Sequence, residues 1–122
     1  MKVESIYRPE LFTIGADEAI ADAASSMQYN EVGALPVFDE ERFVGIVTER
    51  DIVRAAADDV DLHETPVREY MTAEPVVITP ETSTREAADR MLTIGVRHLP
   101  VLVGEQVVGM VSVRDLLTEV AL

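Results

Sequence analysis

The chain repeats itself, and that constrains its fold more than any other feature. Displaced by 64 positions, residues 3–58 lie on residues 67–122 without a gap, and 17 of those 56 pairs are identical. Self-similarity at a fixed offset marks one supersecondary unit laid down twice. The densest agreement joins Leu35-Pro36-Val37 to Leu99-Pro100-Val101. It continues from Val44-Gly45-Ile46-Val47-Thr48 to Val108-Gly109-Met110-Val111-Ser112, and from Arg50-Asp51 to Arg114-Asp115. The polar run from Asp58 to Glu64 reads as the linker. The repeats are therefore assigned to residues 1–60 and 61–122.

Both copies predict the same order of elements. A short apolar strand opens each, at Phe12-Thr13-Ile14 and Val76-Val77-Ile78. A helix follows, over about residues 17–29 and 83–93. Ile20, Ala23, Ala24 and Met27 form its apolar stripe at i, i+3, i+4 and i+7, and Ala87, Ala88 and Met91 repeat it. Ser83 and Glu86 have the spacing of a capping box. Two strands come next, near 34–38 and 43–47, then near 98–103 and 106–111. A last helix starts after Thr48 or Ser112, and Thr65-Pro66 opens a short helix into the second copy. The class is α/β (α+β), as two tandem β-α-β-β-α units. A copy of 56 residues is near the lower limit for folding alone, so the two are expected to share one core about a pseudo-two-fold axis. Two equivalent clefts would then open between them, and function is expected there.

The composition excludes several classes. With no cysteine there are no disulfides, thiol nucleophiles or thiolate metal sites. Aromatic residues are only 5% against 48% hydrophobic, so the core must be aliphatic. No apolar run approaches the roughly 20 residues of a membrane span, and the start lacks an apolar leader. These features predict a soluble, cytoplasmic, unprocessed chain with no membrane contact. A net charge of −13 repels nucleic acid backbones, so nucleic acid is not an expected partner. Lys2 is the only lysine among 10 basic residues, which suits either a high-salt interior or an arginine-rich genome. His63 lies in the acidic linker. No P-loop, HExxH or Ser/His/Asp spacing is present, and no enzyme is expected. Asp58, Asp59 and Asp61 lack the spacing and glycine of a calcium loop.

A strand–helix–strand–strand–helix unit carrying Leu-Pro-Val and then Gly-h-h-[Ser/Thr]-x-x-Asp resembles the cystathionine-β-synthase (CBS) repeat. Here the string occurs twice, and the resemblance covers nearly the whole chain. It implies a regulatory pair of repeats that binds an adenosine ligand between them, needs no cofactor and commonly forms a homodimer. AMP, ADP and ATP stand ahead of S-adenosylmethionine and NAD as candidates. The regulated partner protein is unknown, and the alternative is a ligand-free dimeric scaffold.

Candidate residues follow from both lines of reasoning. Thr48 and Ser112 fall where a strand turns into a helix, and Asp51 and Asp115 fall three residues on. A helix start offers unpaired N–H groups and positive potential to a phosphate. The resemblance assigns ribose hydroxyls to Asp51 and Asp115, and phosphate to Thr48 and Ser112. The same residues also make nearly a capping box, which needs no ligand. That box favours the longer Glu or Gln at its third position, so the short aspartates point toward a ligand, alone or alongside capping. Arg97 and His98 precede the second Leu-Pro-Val, where the first copy has Gly33 and Ala34. The resemblance implies that they hold phosphate opposite Asp51, leaving Asp115 the less basic site; the residues alone equally allow a solvated Arg97 at a strand edge and a packed, hydrogen-bonded His98. Arg50 and Arg114 either line the clefts or are solvated. Ile14 and Ile78 are core positions that the resemblance also places near adenine.

Overall fold

The computed structural model describes residues 1–9 and 11–120. The chain forms two compact units, and they do not follow the boundary near residue 60. One unit is Phe12–Pro75; the other joins Met1–Leu11 to Val76–Leu122.

In the first unit, β1 (Ile14–Gly15) leads to α1 (Ile20–Asn30), β2 (Ala34–Asp39), β3 (Arg42–Thr48), α2 (Glu49–Ala57) and β4 (Thr72–Ala73). The sheet order is β1-β2-β3-β4, with β1 parallel to β2 and the other pairs antiparallel. The predicted stripe of α1 faces inward: Ile20, Ala23 and Met27 are buried. They meet Leu35 and Val37 of β2, Val47 of β3 and Ala55 of α2 in one cluster. Helix α1 starts three residues later than its periodicity suggests, because Ala19 is still extended and brings no capping side chain.

The second unit holds α3 (Thr84–Ile94), β5 (His98–Val103), β6 (Gln106–Ser112) and α4 (Val113–Val120). Its strands pair as β2 and β3 do, and the register slips at the matching place, Val101/Leu102 against Val37/Phe38. Ile78 bridges Val101 in parallel, as Ile14 pairs with Val37. The Ser83 hydroxyl caps α3 by accepting the Glu86 N–H at 3.0 Å.

The expected single core is not what forms. The buried apolar residues fall into two clusters, one in each unit. Each unit completes its core with the opening segment of the other sequence copy. Val67, from the start of copy two, is fully buried in the first unit, and Val3, its counterpart, is fully buried in the second. Each enters on a short 3-10 turn, Val67–Glu69 and Val3–Ser5. Pro66 precedes its turn as the cap residue rather than opening it.

This exchange explains the glycine in each Gly-h-h-[Ser/Thr] string. The incoming segment lies directly across the strand. A Cβ on Gly45 would stand 2.6 Å from the Thr72 carbonyl oxygen, and one on Gly109 would stand 2.6 Å from that of Arg8 and run into the Tyr7 ring. Glycine within a strand commonly marks such an approach of another backbone. Thr72 pairs with Ile46, and Arg8 pairs with Met110 at the equivalent register.

Candidate functional site

Each unit carries one carboxylate where its last long strand becomes a helix, buried in the first unit and part-buried in the second. In the first, Gly45–Val47 is buried and Thr48 remains extended, with φ −126° and ψ 170°. The Thr48 N–H donates to Asp51 Oδ2 at 2.9 Å, and the Thr48 hydroxyl donates to the same oxygen at 3.2 Å. Asp51 Oδ1 accepts from Arg54 Nη1 at 2.9 Å. Asp51 is 5% exposed, a depth at which a carboxylate needs such partners. The Arg54 guanidinium lies 5.6 Å from the centre of the Tyr70 ring, within cation–π range. The Tyr70 hydroxyl donates to Asp58 at 2.7 Å. That bond, more than anything else, holds the phenol above its ordinary pKa; Arg54 opposes the shift.

The second unit repeats this plan with a different arginine. The Ser112 N–H donates to Asp115 Oδ2 at 2.8 Å, and the Asp115 N–H donates to Ser112 Oγ at 3.2 Å. Asp115 Oδ1 accepts from Arg8 Nε at 3.3 Å, and the aspartate side chain is 10% exposed. Arg8 comes from the opening segment already paired with β6 through Met110.

Both aspartates therefore close capping geometry at the start of α2 and α4. Aspartate, though shorter than Glu or Gln, reaches the cap N–H in both copies, so each of these residues has a capping role. Arg50 and Arg114 are exposed first-turn residues with no ion pair among the described residues. Arg97 is exposed, and its carbonyl accepts the Val113 N–H at 2.9 Å, as the Gly33 carbonyl accepts the Glu49 N–H at 3.0 Å. His98 is half-buried and pairs with Ser112, so Arg97 and His98 lie at the strand end beside the Asp115 helix start. The side chains of Ile14 and Ile78 are buried in the two cores.

Sequence reasoning missed Arg8 and underrated Arg54. Arg54 stands three residues after Asp51, a helical spacing that brings side chains together. Arg8 lies 107 residues from its partner. Its only trace in the sequence is the glycine at position 109. Among the described residues, no group of three or more His, Asp or Glu side chains is placed to hold a metal, and no helix is long and apolar enough to cross a membrane.

The CBS domain family matches residues 3–58 and 67–122, the same two spans that the internal repeat defines. The chain belongs to that family. It is 41% identical over 118 residues to an uncharacterized 17.7 kDa protein of Acidianus ambivalens, covering 94% of this chain and 70% of the relative. Among solved structures, the hexameric CBS-CP12 protein from bloom-forming cyanobacteria is 30% identical with a TM-score of 0.91, covering 98% of this chain and 71% of the other. The CBS domain pair of protein MJ0100, in complex with 5′-methylthioadenosine and S-adenosyl-L-methionine, has a TM-score of 0.91 at 24% identity. The alignment covers 99% of this chain and 96% of that one, and at this identity it establishes the fold.

Proposed function

We propose that this chain is a regulatory, non-enzymatic module that binds an adenine nucleotide or related adenosyl ligand between its two repeats. The observation that carries the reading is a carboxylate at a helix N-terminus, built twice at the same register, buried at Asp51 and part-buried at Asp115. In each case ribose hydroxyls can meet the carboxylate, and a phosphate can lie toward the helix start. Thr48 and Ser112 supply hydroxyls beside those positions. Arg97 and His98 serve the phosphate end opposite Asp51 in this reading, and Arg50 and Arg114 are exposed first-turn cations with no ion pair among the described residues. Arg8 adds a base beside Asp115. The MJ0100 complex supports the reading only to the extent that one fold of this kind accommodates adenosyl compounds.

The mechanism is a population shift. A ligand that binds one arrangement of the repeats better favours it by the difference in affinity, and a partner protein reads the outcome. The module acts in the cytoplasm in this reading. A second reading, a homodimeric interaction module, is favoured by Val53 and Leu117, which occupy matching positions on α2 and α4 and are 66% and 61% exposed. The test is a thermal-shift panel of AMP, ADP, ATP, NAD and S-adenosylmethionine at low and at molar salt. A ligand that binds only the folded state at a hundredfold excess over Kd adds about 2.7 kcal/mol. A shift for an adenosine compound is expected. A cooperative melt that none of the five moves leaves the interaction module standing instead.

A further inference from the structure

The two aspartates differ in how much of their hydrogen-bonding capacity the fold already uses. An ionised carboxylate offers about four acceptor positions. Asp51 has committed three: Oδ2 to the Thr48 N–H and hydroxyl, and Oδ1 to Arg54. Asp115 accepts from the Ser112 N–H and, at a longer 3.3 Å, from Arg8 among the described residues. A ribose diol brings two donors. Asp115 accepts both as it stands, and Asp51 has room for one.

The geometry points to Arg54 as a gate on Asp51: its guanidinium competes with a ribose diol for Oδ1, and its release is transmitted to Tyr70. The inference rests on the reading of Asp51 as a ribose site. Arg54 is suited to leave. Its side chain is 57% exposed, so water takes over its hydrogen bonds. The same guanidinium lies 5.6 Å from the centre of the Tyr70 ring while it is bonded to Asp51, so its departure from Oδ1 changes what that ring meets. Tyr70 closes the 3-10 turn that feeds β4, and β4 lies across Gly45 in the strand leading to Thr48. Occupation of Asp51 is thus reported to the opening segment of the second copy, which runs on to Val76 and the second unit.

The experiment is calorimetric titration of AMP and of 2′,3′-dideoxy-AMP into the parent protein, R54Q, R54A and D51N, with the ring signals of Tyr70 followed by NMR. Loss of an exposed competing ion pair predicts AMP binding roughly two- to fivefold tighter in R54Q and R54A. Dideoxy-AMP, which has no diol, binds parent and variants equally. AMP moves the Tyr70 signals in the parent and not in R54Q. AMP affinity that is unchanged or weakened in both Arg54 variants, with D51N still losing binding, overturns the gate and leaves the ribose site intact. AMP binding that D51N does not alter overturns the ribose reading of Asp51 and the gate with it, and no AMP binding by any of these proteins overturns the ribose reading of both aspartates.

Discussion

Replacing Gly109 with alanine tests whether the opening segment belongs to the second unit. The new Cβ would collide with the Tyr7 ring and stand 2.6 Å from the Arg8 carbonyl oxygen, which is backbone and cannot swing aside. The segment must lift off β6. Its two hydrogen bonds to Met110, at 2.9 and 3.2 Å, are then lost, at about 1 kcal/mol each. Val3, now 0% exposed, is drawn partly out of the core, at about 1.5–3 kcal/mol if fully exposed. Against this, alanine is favoured over glycine in a strand by about 0.5–1 kcal/mol. The balance is a loss of about 3 kcal/mol, a large part of the roughly 5–15 kcal/mol that holds a native protein together. Urea denaturation followed by circular dichroism measures the loss, and amide exchange at Arg8 and Met110 locates it. Gly15→Ala is the control, because its Cβ meets the movable Glu18 side chain at 3.1 Å, and it should cost less than about 1 kcal/mol. A Gly109→Ala loss below about 1 kcal/mol, with both amides still protected, refutes the reasoning.

Two smaller perturbations probe local features. Ser83→Ala removes the α3 cap and should cost about 1 kcal/mol in the same urea assay, while Ala19→Ser should gain less, since the Asp22 N–H already donates to the Ala19 carbonyl at 3.0 Å. Tyr70 governs a pH effect. Its folded pKa is raised above 10.0, chiefly by its hydrogen bond to Asp58, so that contribution to stability is complete below pH 10.0 and is lost as pH rises through the folded value. Denaturation midpoints of the parent protein should therefore fall more steeply above that pH than those of Tyr70→Phe; parallel curves would contradict the assignment.

The pieces legible in the sequence were those set by local pattern. The stripe at Ile20, Ala23 and Met27 specified the buried face of α1, because helical periodicity needs only neighbouring residues. The Leu-Pro-Val and Gly-h-h-[Ser/Thr] strings located both strand pairs and both helix starts to within a residue or two. The exchange of opening segments was hidden, since Val3 and Val67 look like ordinary apolar residues until their distant partners are known. The paired glycines were the available signal, each marking a strand that another backbone crosses. At the candidate site, the places of Asp51 and Asp115 at the two helix starts were legible from spacing. Their arginine partners were not, because Arg8 reaches Asp115 only through the folded sheet, and Arg54 resembled any solvated helical residue.

The central claim is that Asp51 and Asp115 receive the ribose of an adenosine ligand. Calorimetric titration of AMP into the parent protein and into the D51N/D115N double variant tests it most directly. Asparagine keeps the carbonyl that accepts the cap N–H, so circular dichroism should show both proteins folded. The account predicts binding by the parent protein and none by the double variant. Equal affinity in the two proteins would contradict it.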